Sequence, residues 1–134
     1  MNKSLKESIE SVALPIVVTS SNPHLNFIVD TGSNLNFIFD FVRDGLENYF
    51  SPIESSTIET ISVNGKIEDS PMVKGKLEFD GKVSEVEFSV INGDDVVRRF
   101  QENNGFQLHG FLGVPFLVAN KWILDFDKME IKSK

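Results

Sequence analysis

Two apolar segments joined by one short polar loop constrain this chain more than any other feature. Phe27-Ile28-Val29 runs directly into Asp30-Thr31-Gly32-Ser33, and Asn36-Phe37-Ile38 leaves on the far side. Apolar segments of this kind read as buried strands, so the loop between them must emerge at the end of a sheet. A strand end is rigid, and this one presents a carboxylate, two hydroxyls and a glycine together. At average residue usage, such a run followed by Asp-Thr-Gly-Ser or Asp-Thr-Gly-Ala arises by chance in roughly one chain of this size in a few thousand. Taken alone, Asp30 also suits an Asx turn that merely ends a strand. The rest of the chain decides between the two.

The 134 residues suffice for one domain with its own core. Twelve Phe against one Tyr and one Trp point to a dry, Phe-rich core or an apolar groove. The net charge is −7, with acidic residues dispersed and no basic run, which weighs against nucleic acid as a partner. The absence of cysteine excludes disulfides, thiolate metal sites and a Cys nucleophile. It is compatible with a cytoplasmic location, which is the expectation. His24 and His109 are too few and too isolated for a metal site or a triad, so no metal and no cofactor is expected. No apolar run approaches the roughly 18 residues that would span a membrane. Lys3 and Lys6 precede an apolar stretch, but Glu7 and Glu10 interrupt it and Val12 to Val18 is too short for a signal peptide. A leader removed from the natural gene product would leave no trace here.

Residues 1–12 read as a polar amino-terminal segment, a short helix or a loose tail, and residues 13–134 as a single domain. Ala13 to Thr19 and Leu25 to Asp30 form a strand hairpin turning at Ser20-Ser21-Asn22-Pro23. Apolar residues at 39, 41, 42, 46 and 50 predict a helix of about ten residues between Phe39 and Phe50. Ile58, Ile61 and Val63 lead into Asn64-Gly65, and Leu77 and Phe79 lead into Asp80-Gly81; both dipeptides signal two-residue hairpins. Val86, Phe88 and Val90 alternate with Glu85, Glu87 and Ser89, which predicts one buried face and one wet face. Asp94 is placed to cap a helix through about Glu102 that Gly105 ends. Pro115 opens a further turn near Phe116 to Ala119, and Trp122 to Phe126 and Met129 to Lys132 read as closing strands. Glu85/Glu87, Asp94-Asp95 and Arg98-Arg99 read as solvated faces.

With these elements laid out, three segments resemble, in order, the retropepsin family of aspartic proteases. This is the single-lobe class that includes retroviral proteases and their cellular and bacterial relatives. The first segment is Phe27-Ile28-Val29-Asp30-Thr31-Gly32-Ser33. The second is the central hairpin around Asn64-Gly65, where the family has its flap. The third is His109-Gly110-Phe111-Leu112-Gly113-Val114-Pro115-Phe116-Leu117, which is similar to the family's apolar-apolar-Gly element and the short helix after it. Trp122-Ile123-Leu124-Asp125-Phe126 fits the closing strand, so the resemblance covers residues 13 to 132. The Asp-Thr-Gly-Ser loop is its specific part; an apolar-apolar-Gly triplet alone arises about once or more in any chain this size.

The resemblance implies an all-β, retropepsin-like acid protease fold: a closed, barrel-like single lobe with a flap hairpin and two short helices. It implies an aspartic endopeptidase acting on a peptide or protein substrate, without metal or cofactor. Two carboxylates at close range share one proton, because like charges that close cannot both ionise cheaply. The chain carries a single Asp-Thr-Gly, so such a dyad requires a homodimer in which each copy gives Asp30. By the same resemblance, Thr31 ties the two loops together through its hydroxyl. Gly32 lets the backbone approach the carboxylates, and Ser33 hydrogen-bonds the outer carboxylate oxygen. Phe111-Leu112-Gly113 packs beneath the loop. The flap, about Ile58 to Val73 with Val63, Asn64, Gly65 and Lys66 at or beside its tip, closes over an extended peptide.

The chain departs from retroviral relatives in four places: a flap tip not rich in glycine, a longer segment from Asn92 to Gly105, His109 where relatives often carry an acid, and terminal strands that continue further. The alternative function is a catalytically idle retropepsin-like dimer that binds extended peptides or mediates assembly. A phosphate-binding loop of the sugar-kinase type also uses Asp and Gly after a strand, but that fold needs far more chain.

Overall fold

The computed structural model describes residues 1–21, 23–61 and 67–133, with side chains except at 54–61 and 67–69. The chain runs through β1 (Asn2–Ser4), α1 (Lys6–Val12), β2 (Ile16–Val18), β3 (Asn26–Val29), β4 (Phe37–Phe39) and α2 (Asp40–Gly45). It continues through β5 (Phe50–Ile61), β6 (Ile67–Phe79), β7 (Lys82–Ile91), α3 (Asp94–Asn104), β8 (Gly110–Leu112), α4 (Val114–Ala119), β9 (Ile123–Asp125) and β10 (Glu130–Lys132). The protein is predominantly β.

Two sheets form. One has the order β2-β3-β8-β4-β7-β6-β5, the other β1-β10-β9. Neither closes into the expected barrel: β2 and β5 stand at opposite ends of the larger sheet. The β2 edge is covered by other means. Its Ile16 N–H donates to Ser8 Oγ at 3.1 Å, and its Val18 carbonyl accepts Lys3 Nζ at 3.1 Å. Blunting an edge with a helix and a lysine removes the need for another strand. Helices number four among the described residues rather than two: besides α2 and α3, the amino-terminal segment forms α1 and the turn opened by Pro115 forms α4.

Local chemistry explains most boundaries. The β6–β7 hairpin turns at Asp80 (φ 52°) and Gly81 (φ 83°), both left-handed, as a two-residue turn matched to strand twist requires. α2 is six residues long, not about ten, because Phe50 is drawn into β5, where its ring meets Phe88 edge-on at 5.8 Å. Asp94 does not cap α3. The N-cap position is Gly93, without a side-chain cap; just before it Asn92 Oδ1 accepts the Asp94 N–H at 3.1 Å, while Gly105 (φ 81°) ends the helix. On β7, Val86, Phe88 and Val90 are buried and Glu85 and Glu87 exposed, but Ser89 is fully buried instead of wet. It is flanked in register by Phe37 and Met72, whose larger side chains share its face.

Phenylalanine supplies the core. Phe27, Phe39 and Phe88 are shut from water, and each such burial contributes about 1.5–3 kcal/mol. Phe27 stacks on Phe88 at 5.9 Å. A second aromatic cluster joins Phe79, Phe116 and Trp122, with centroids 4.9 to 5.8 Å apart, and fixes α4 against the β6–β7 hairpin. The smaller sheet joins the two ends of the chain. Asn2 pairs with Lys132, and the Met1 ammonium donates to the Ser133 carbonyl at 3.0 Å. No helix among the described residues is long and apolar enough to cross a membrane.

One side chain ties the entrance of β8 to β3. The Asn26 N–H donates to His109 Nδ1 at 2.8 Å, and the His109 N–H donates to the Asn26 carbonyl at 3.0 Å. A backbone amide can only donate, so Nδ1 must be unprotonated and the ring neutral. Burial lowers the His109 pKa from its ordinary 6.5. As pH falls, the unfolded chain therefore takes up this proton first. Its contribution to stability is complete above 6.5 and is lost as the pH drops from there through the folded value. Urea unfolding of the parent from about pH 7 to 5 is expected to show a falling midpoint, and His109→Gln, which keeps an acceptor that does not titrate, to flatten that fall.

Candidate active site

The Asp30 loop leaves the sheet where β3 ends and re-enters it as β4, two places away. β8 lies between them, parallel to β3 and antiparallel to β4, with Val29 beside Leu112 and Phe37 beside Phe111. The loop therefore spans the end of the strand that separates its two flanks. Asp30 is clamped there, its N–H donating to the Leu112 carbonyl at 2.8 Å. Phe27, Val29 and Leu112 are buried beneath it.

Close passage of β8 dictates its glycines. A Cβ at Gly113 would stand 2.1 Å from the Leu35 carbonyl oxygen and 2.8 Å from that of Ser33. One at Gly110 would stand 2.2 Å from the Phe37 carbonyl oxygen. With both side chains absent, the backbones meet. Val114 N–H donates to Ser33 O at 2.9 Å, and Gly113 N–H donates to Asn36 Oδ1 at 2.8 Å. Asn36 is buried and links three elements: its Nδ2 donates to the Glu87 carbonyl at 3.2 Å, and its own carbonyl accepts Ser89 N–H at 2.8 Å.

Within the loop, Asp30 Oδ1 accepts the Gly32 N–H at 3.0 Å, and the Asp30 carbonyl accepts the Ser33 N–H at 3.3 Å. Asp30 and Ser33 are half-buried, and Thr31 and Gly32 are exposed. The carboxylate thus sits at the rim, held by backbone on one side and open to water on the other. No charged side chain occurs from Thr31 to Phe39 or from Gly110 to Asn120, so the two segments that build the rim bring no cation to it.

The structure brings Asp30, Thr31, Gly32 and Ser33 together over Phe111, Leu112 and Gly113. Val63, Asn64, Gly65 and Lys66 lie outside the described residues; the strands on either side pair antiparallel, with Ile61 opposite Ile67. One expected role differs. The Ser33 hydroxyl donates to the Leu35 carbonyl at 2.7 Å and accepts its N–H at 3.3 Å, closing the loop on itself instead of reaching the carboxylate. Gly32 brings its N–H to 3.0 Å from Asp30 Oδ1, and a Cβ there would meet only that oxygen, at an ordinary 3.4 Å, so tight steric demand on a glycine lies elsewhere. That demand falls on Gly113. Asn36 was not singled out from the sequence, where its signal is a lone amide in the apolar run Leu35-Asn36-Phe37-Ile38.

Gly113→Ala is expected to destabilise the fold by about 1–3 kcal/mol in urea unfolding, because the added methyl can only push backbone against backbone. Gly32→Ala is expected to stay within about 0.5 kcal/mol of the parent. Equal costs at the two positions would refute this division of labour.

No protein-family model matches this sequence, and no curated protein matches it either. What marks the site is its own geometry, a single carboxylate held at a strand end by the strand that passes beneath it.

Proposed function

We propose that this chain is one protomer of a retropepsin-like aspartic endopeptidase that acts as a homodimer. The observation that carries the reading is the Asp30-Thr31-Gly32-Ser33 loop, fixed to β8 through Leu112, Gly113 and Val114 while the carboxylate faces outward. A group that must meet its own copy has to be rigid and at the surface, and Asp30 is both.

In the proposed dimer, two Asp30 carboxylates share one proton. The ionised carboxylate removes a proton from water as the water oxygen bonds to the scissile carbonyl carbon. The protonated carboxyl gives its proton to the carbonyl oxygen. The resulting tetrahedral intermediate collapses, the C–N bond breaks, and a proton passes to the leaving amine. No enzyme atom bonds to the substrate. Thr31, exposed at the loop's tip, is the side chain placed to reach the partner loop. The β5–β6 hairpin is the element proposed to cover an extended substrate.

A specific observation favours a second reading, a dimer that binds extended peptides without cutting them. The Ser33 hydroxyl is spent on Leu35 and gives no support to the carboxylate.

Cleavage of a mixed peptide library from about pH 3 to 7 separates the two readings. The parent is expected to cleave, and Asp30→Asn to lose about 10²–10⁴-fold while keeping its fold and dimer. A folded dimer that cuts nothing would favour the binding reading. Equal cleavage by both proteins would remove Asp30 from the chemistry.

A further inference from the structure

We infer that the second copy docks through the exposed face of α4 together with the Asp30 loop, so that Val118 and Val114 meet their counterparts across the two-fold axis. This rests on the two-chain reading above and names the surface that reading requires.

Val118 is 69% exposed and Val114 40%. They stand four residues apart, one above the other on a single helix face. The opposite face is anchored: Phe116 and Leu117 are buried, and Phe116 meets Trp122 edge-on at 4.9 Å. The valines are therefore held in water by a helix that cannot turn them inward. They share a shallow hollow with Thr31, Gly32, Ser33 and Pro115.

Two arguments assign this face to a second copy. The first is connectivity. Val114 N–H is bonded to Ser33 O at 2.9 Å and the valines share one hollow with Thr31 to Asn34, so a contact made through that side of the loop takes in the α4 face as well. The second is charge. Each copy carries −7, and a self-contact places every residue near its own like-charged counterpart. The hollow itself, from Thr31 to Asn34 and from Val114 to Ala119, carries no charged side chain; Asp30 precedes it in the chain, and Glu85 and Glu87 border Pro115 and Ala119 in a neighbouring hollow. An apolar, uncharged face is complementary to itself.

The competing surface is the β9 edge, where Ile123 is 54% and Phe126 62% exposed. There Asp125, Asp127 and Lys128 interrupt the apolar residues. The backbone of β1 is already paired with β10 within the chain.

Sedimentation equilibrium of the parent and Val118→Arg tests the inference, with circular dichroism checking the fold and peptide cleavage checking activity. The parent is expected to dimerise, and Val118→Arg to weaken the dimer at least about a hundredfold, because arginine would face arginine. Cleavage should fall with the dimer. A second arm does not depend on a disruptive variant. The chain has no cysteine, so Val118→Cys is expected to give a covalent dimer with a short bismaleimide, while Val83→Cys, 57% exposed on β7, is not. A parent dimer that survives Val118→Arg and resists crosslinking at Val118→Cys would overturn this interface alone. If Phe126→Arg then dissociated it, the contact would lie at β9. A parent that stays monomeric would overturn both the interface and the two-chain site.

Discussion

Everything near the Asp30 loop depends on β8 passing between β3 and β4. That strand is only Gly110–Leu112, yet it contributes on both of its edges and at its end. Its Leu112 carbonyl accepts the Asp30 N–H, and Gly113, directly after it, donates its N–H to Asn36 Oδ1. The passage is possible because glycines stand where a methyl group would collide with the carbonyls of Phe37, Leu35 and Ser33. A carboxylate on a free loop would lose entropy each time it had to meet a partner group; here that ordering is built into the sheet. Rigidity at the strand end is what a two-fold site made from one loop per chain would require.

Elements with strong local codes were legible in the sequence. Asp80-Gly81 dictates a two-residue turn through its left-handed backbone, and the Val86-Phe88-Val90 alternation dictates a buried face. The apolar flanks of the Asp30 loop placed it at a strand end. What sequence could not reveal was set by tertiary neighbours. Ser89 looks like a wet-face residue until Phe37 and Met72 flank it, and Phe50 looks helical until Phe88 claims its ring. Asn36 reads as a neighbour of the motif, and only the arrival of Gly113 from 77 residues away makes it the joint of three elements. Closure of the sheet failed as an expectation because Ser8 and Lys3 satisfy the β2 edge, and no periodicity encodes such a contact.

Acid, where the proposed carboxylate dyad would work, weakens one support of the fold. His109 must be neutral to accept the Asn26 amide, and it holds the entrance of the same strand that clamps Asp30 at its exit. Acid favours a shared proton between carboxylates, yet it charges this imidazole. In the proposed dimer, the lower limit of working pH would be set partly by the scaffold and only partly by the chemistry. Asp30 and His109 stand at opposite ends of β8.

Catalysis in the proposed dimer needs one Asp30 from each of two copies. The most direct test mixes parent and Asp30→Asn protein in varying ratio, allows subunits to exchange, and measures peptide cleavage at constant total protein. If both carboxylates are needed, activity follows the square of the parent fraction, and an equal mixture retains about one quarter of parental activity. Activity proportional to the parent fraction, about one half at equal mixture, would mean that each chain works by itself and would contradict the account.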